Sequence, residues 1–104
     1  MTIATTDVTN SATTVFTSSG NNAITFASFC NIHSGAVDID IHVVPNGESV
    51  ANSTLVIKDL TINAGDTYQL YSGGEKLLLA NADIISCTAN TASSITAVVS
   101  STAI

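Results

Sequence analysis

Asp38, Asp40 and His42 stand at i, i+2 and i+4 of the segment Val37-Asp38-Ile39-Asp40-Ile41-His42-Val43-Val44. On an extended chain, alternate side chains leave the same face about 7 Å apart. Two carboxylates and an imidazole are donors that a divalent transition metal accepts. Two carboxylates at a subunit boundary also suit Ca²⁺. The same spacing equally describes the solvated face of an amphipathic strand. That second reading is preferred, because a site built wholly from protein needs three or four ligands and no second cluster accompanies these. No metal is therefore expected, and Asp38, Asp40 and His42 are the candidates if one binds.

Other potential chemistry is thinner. His33 adjoins Ser34, but neighbours in sequence say nothing about triad geometry, and no G-x-S-x-G elbow is present. Gly73-Gly74 lacks the Lys-Ser/Thr of a phosphate loop. Tyr68 and Tyr71 can offer a sugar-stacking platform, although a place in the core and its rim is the simpler reading. No catalytic residue and no cofactor is expected, and the chain reads as non-enzymatic.

Cys30 and Cys87 both fall in apolar strands. They are either buried free thiols or a disulfide between sheets. No Lys- or Arg-rich leader opens the chain, so no secretory signal is expected and free thiols are favoured.

These residues must be carried by a small scaffold. A chain of 104 residues and 10.6 kDa suits one domain with one core. It holds six Asp, two Glu and two Lys, has no Arg, and carries a net charge of -6. Phosphate contact needs Lys and Arg, so nucleic acid is excluded as a partner, and an acidic membrane surface with it. The longest apolar run, Leu77-Leu78-Leu79-Ala80, is far short of a membrane span. At 45% hydrophobic residues the chain is not disordered.

The hydrophobic period is two. Val37, Ile39, Ile41 and Val43 form the inner face of a strand that ends at Pro45-Asn46-Gly47. Asn22 to Ile32 is a second strand. It carries Phe26 on one face and Phe29 on the other, which implies cover on both sides or a bulge that resets the phase. Ser34-Gly35 joins the two as an expected hairpin. Leu55 to Ile62 slips phase once, predicting a kink or bulge near Lys58. Thr13 to Thr17, with Val15 or Phe16 inward, and Thr67 to Tyr71, with Tyr68 and Leu70 on one face, are further strands. Ser72-Gly73-Gly74 breaks the chain, and Leu77 to Leu79, Ile84 to Ala89 and Ile95 to Ser100 complete the set. A helical turn has room only within Leu77 to Ile85.

Seven to eight short strands at this spacing predict an all-β fold: a single antiparallel β-sandwich or jelly-roll-like domain. Residues 1-12 form an N-terminal arm or edge strand, and residues 13-104 the sandwich. The arm reading has Met1 to Ala12 reaching a neighbouring subunit.

The surface must be mostly Ser, Thr, Asn and Ala. Long charged side chains, with their large rotamer entropy, normally keep surfaces apart. A chain with 28 Ser and Thr and two Lys buries its surface at low entropic cost. That composition suits permanent assembly, and adhesion modules share it.

The stretches Phe29-Cys30-Asn31, Ser34-Gly35-Ala36-Val37, Ile41-His42-Val43-Val44-Pro45-Asn46-Gly47 and Leu60-Thr61-Ile62-Asn63-Ala64-Gly65-Asp66-Thr67-Tyr68 carry a resemblance. Together they resemble small β-sandwich virion proteins of tailed bacteriophages, over roughly residues 13 to 100. Gly73-Gly74 and Glu75-Lys76 depart from that pattern. The resemblance implies a non-enzymatic structural protein of the virion, with no catalytic residues to carry over. It points first to a capsid decoration (cement) protein, assembled in the host cytoplasm, homo-oligomeric, and bound to the major capsid protein or other virion proteins. A tail or neck appendage is the alternative within that class. A carbohydrate-binding adhesion module is the alternative outside it.

Overall fold

The computed structural model describes residues 2–70 and 77–104. Tyr71, the break at Ser72-Gly73-Gly74 and the departure at Glu75-Lys76 lie outside the described residues. Among the described residues nine strands follow one another: β1 (Thr2–Val8), β2 (Thr13–Thr17), β3 (Asn22–Asn31), β4 (Val37–Val44), β5 (Leu55–Ile62), β6 (Thr67–Gln69), β7 (Leu77–Leu79), β8 (Ile84–Ala89) and β9 (Ile95–Ala103). Among the described residues, helical structure is limited to a 3-10 turn at Asn52–Thr54. Leu77 to Ile85 holds no helical turn.

The strands form two antiparallel sheets. The front sheet runs β1-β9-β3-β6, with β7 pairing the same edge of β3 further along; the back sheet runs β2-β8-β4-β5. Successive strands cross repeatedly between the sheets, which is the jelly-roll arrangement. Counting β6 and β7 as one divided position gives the eight places of that fold.

The core lies between the layers. Ile24, Phe29, Ile95 and Val99 enter from the front sheet, and Val37, Ile39, Ile41 and Ile85 from the back; all are fully buried. At about 25 cal/mol per Å² of apolar area, this interlayer burial is the main favourable term in folding. Val37, Ile39 and Ile41 occupy the inner face as the period-two pattern requires, while Val43 is half-buried against the core margin.

Bulges account for the phase slips. On β3, Ile24 pairs Ser101 and Phe26 pairs Ser100, so Thr25 is the inserted residue. Ile24 therefore joins Ala27 and Phe29 in the core, while Phe26 turns outward, 36% exposed. On β5 the register to β4 shifts twice, once across Lys58-Asp59 and once across Val56. A register shift between Thr14 and Phe16 on β2 lets both Val15 and Phe16 be buried.

One expectation is corrected, and of the two readings of the N-terminal segment the edge strand is the one found. β3 and β4 are not a hairpin: β3 pairs β6, β7 and β9, and β4 pairs β5 and β8. The turn at Ser34-Gly35 carries the chain from one layer to the other. The N-terminal segment does not leave the domain as an arm. β1 pairs β9 from Thr2↔Ser101 to Val8↔Ile95, and Val8 is fully buried in the core.

Candidate functional site

β4 delivers the acidic candidates to the outer face of the back sheet. Asp38 and Asp40 line an open cleft of about 260 Å³ with Asn10, Asp59, Thr88, Ala89 and Asn90. Each carboxylate already holds a structural bond. Asp38 Oδ1 accepts the Thr61 hydroxyl at 2.7 Å, tying β4 to β5. Asp40 Oδ1 accepts the backbone N–H of Asp59 at 2.7 Å. Asp59 sits in the left-handed region at φ 51, and its N–H leaves the ladder where β5 bulges. The Asp40 carboxylate satisfies that donor within the protein, where the bulge takes it out of the ladder.

His42 does not join the two carboxylates as a ligand. The alternation places it on the solvated face, but it is 7% exposed, because the 3-10 turn at Asn52–Thr54 folds over it. Its Nδ1 lies 2.9 Å from Thr54 Oγ1. The Thr54 hydroxyl donates its one proton to the Ala51 carbonyl at 2.9 Å, which leaves His42 Nδ1 to donate. Among the described residues, no three His, Cys, Asp or Glu side chains form a group able to hold a metal.

The remaining candidates are dispersed. His33 and Ser34 are exposed in the turn between β3 and β4, and the His33 backbone N–H donates to Asn31 Oδ1 at 2.8 Å. Tyr68 lines a second cleft of about 150 Å³ with residues from Leu60 to Thr67; its proposed companion, Tyr71, is outside the described residues. Both cysteines are free thiols. Cys30 points outward from the front sheet, opposite Thr96 and Thr67, and Cys87 points into the core from the back sheet. Side chains directed away from each other on opposite layers cannot be bridged. Burial, and to a lesser degree the Asp40 charge, pushes the Cys87 thiol up to about 12.

The most distinctive surface is the outer face of the front sheet. Ile3, Ser100 and Phe26 form one row across β1, β9 and β3. Thr5, Val98, Ser28 and Gln69 form the next, and Asp7, Thr96, Cys30 and Thr67 the third. Leu78, 64% exposed, and Thr102 flank Ala23 at the far end. Eight charged side chains lie among the described residues, and Asp7 alone stands on this face. Asp38, Asp40, Lys58 and Asp59 belong to the back sheet, while Glu48, Asp66 and Asp83 lie in loops. The sequence gives no signal for the outward Ile3, and Phe26 reaches this face only through the Thr25 bulge.

Two residues passed over in the sequence prove structurally central. Asn31, buried at the end of β3, donates from Nδ2 to the Ile62 carbonyl at 2.7 Å and the Gly35 carbonyl at 3.0 Å. It thereby stitches the front sheet to the end of β5 in the back sheet. The Phe29-Cys30-Asn31 motif contained this residue without indicating its role. Ser86 on β8 has a buried hydroxyl with no hydrogen-bond partner among the described residues.

No protein-family model, no curated protein and no solved structure matches this chain.

Proposed function

We propose that this chain is a non-enzymatic structural protein of a tailed-bacteriophage virion: a capsid decoration protein present in many copies on the shell, bound to the major capsid protein. The observation that carries the reading is the segregation of charge. An acidic molecule keeps one broad sheet face of Ile3, Phe26, Val98, Leu78 and hydroxyl residues almost free of charge. Such a face loses little side-chain entropy and little ionic solvation when covered. The sequence resemblance and the jelly-roll strand order support the same reading. So does the engagement of Asp38, Asp40 and His42 in bonds that hold the scaffold. In this role the protein joins the particle in the host cytoplasm and works without a cofactor.

The test is to locate and count the chain on the particle. An averaged particle image, with quantitative mass spectrometry of the purified virion, is expected to place hundreds of copies over the shell. Tens of copies confined to the tail or neck would replace decoration with an appendage role. Absence from the virion, with glycan binding by the isolated chain, would replace both with adhesion.

A further inference from the structure

The four sheet edges are treated unequally. The β2 edge is five residues long and bulged at Thr14/Phe16. The β5 edge breaks register twice and carries Lys58 and Asp59. The edge shared by β6 and β7 consists of two three-residue strands. Bulges, charges and short length are the devices by which folded proteins keep sheet edges from pairing. β1 has no bulge and is not short, and its one charge is Asp7 near the C-terminal end. It runs seven residues, Thr2-Ile3-Ala4-Thr5-Thr6-Asp7-Val8, in unbroken register with β9 and without Lys, Pro or Gly. Its outer edge is the end of the front sheet, with no strand beyond it among the described residues. Every second residue of such an edge directs its N–H and C=O away from the sheet.

We propose that β1 is a self-association edge, and that two copies of this chain pair β1 against β1 in antiparallel fashion about a two-fold axis at Thr5. This goes beyond the virion reading and does not depend on it. The occupant is a second copy because β1 meets its own two-fold image with no charge set opposite another. In the register centred on Thr5, Asp7 faces Ile3 of the other copy. The two Asp7 carboxylates then stand about 13 Å apart along the strands, beyond the Debye length of about 8 Å at physiological salt. The other charges of this acidic chain lie on the back sheet, in loops or outside the described residues. An antiparallel pair also preserves side-chain parity. Ile3, Thr5 and Asp7 stay on the outer face in both copies, and Ala4 and Thr6 meet on the inner one. Thr5 meets its own counterpart at the axis, a favourable β-branched cross-strand pair. The two front sheets become one continuous sheet whose charge-poor outer faces are joined. A two-fold pairing closes on itself and leaves no β1 edge to recruit a third copy.

Sedimentation equilibrium over a concentration series, with light scattering, tests this on the full chain. The wild type is expected at twice the 10.6 kDa chain mass. Thr5 is exposed on the outer face, so Thr5→Lys and Thr5→Glu leave the β1–β9 ladder in place, and a fall in melting temperature is limited to the stability that pairing adds. Each places like charges at the axis, and each is expected to halve the mass. Mixing the two variants restores the dimer by pairing Lys with Glu. The β1 amides directed away from β9 exchange slowly in the wild type and fast in either single variant, while those bonded to β9 stay slow in all three. A wild type that stays at 10.6 kDa throughout, or a dimer untouched by Thr5→Lys, overturns the proposal.

Discussion

The Asp40 carboxylate accepts the backbone N–H of Asp59 across the β4–β5 ladder, with Oδ1 2.7 Å from the nitrogen. Asp59 holds a positive φ of 51 at the point where β5 carries an extra residue. A side chain that resembles a metal ligand in the sequence is thus a bulge clamp in the fold. The exposed Lys58–Asp59 ion pair at 3.7 Å adds little beside it.

Asp40→Ala leaves the Asp59 N–H without its partner and is expected to cost about 1–2 kcal/mol. Asp40→Asn keeps an acceptor oxygen and removes one charge from an acidic cleft, so it should stay within about 0.5 kcal/mol of wild type. Urea unfolding of both variants measures the difference. Equal loss in the two would mean that the charge, not the accepted hydrogen bond, matters. A melting temperature that rises on adding Ca²⁺ would return the cleft to consideration as an ion site.

Asn31 tests the join between the layers. Asn31→Ala strands the Ile62 and Gly35 carbonyls and the His33 N–H, and is expected to cost about 2–4 kcal/mol. Asn31→Asp has almost the same shape but no N–H to donate, so it should fail nearly as badly. An Asp variant with wild-type stability would show that Asn31 only fills space.

The cysteines should differ in reactivity. Under native conditions Cys30 reacts with a thiol reagent while Cys87 does not; under denaturing, non-reducing conditions both react, as two adducts in intact mass. The Cys87 pKa is raised from 9.0 to about 12, so above pH 9 the unfolded chain releases a proton that the folded chain keeps. Stability then falls between about pH 9 and 12, approaching about 1.4 kcal/mol per pH unit for this one proton. Cys87→Ala should lower stability at neutral pH and flatten that slope. An unchanged slope would place the alkaline sensitivity elsewhere.

Ser86→Ala removes a buried hydroxyl that has no partner among the described residues. An unmade buried hydrogen bond costs about 1–3 kcal/mol, so the variant is expected to melt higher than wild type. A fall in melting temperature would reveal a bond to a buried water.

The strands and their inner faces were legible in the residues themselves. Alternation from Val37 to Ile41, the slip at Lys58 and the conflict between Phe26 and Phe29 named the strand, the bulge and the phase reset, because period-two patterning and turn chemistry are local properties. The partners were not local. Ser34-Gly35 reads like a hairpin turn, yet β3 pairs β9 more than sixty residues away, since a jelly roll wraps its connections from sheet to sheet. The burial of His42 depends on a turn ten residues downstream, and the place of Val8 depends on β9 at the far end of the chain. Composition alone settled that the molecule is acidic and poor in Lys and Arg. Only the tertiary structure decided that the charges of the described residues fall on the back sheet and in loops and leave the front sheet with Asp7 alone, because which face a strand shows to water depends on the layer it joins.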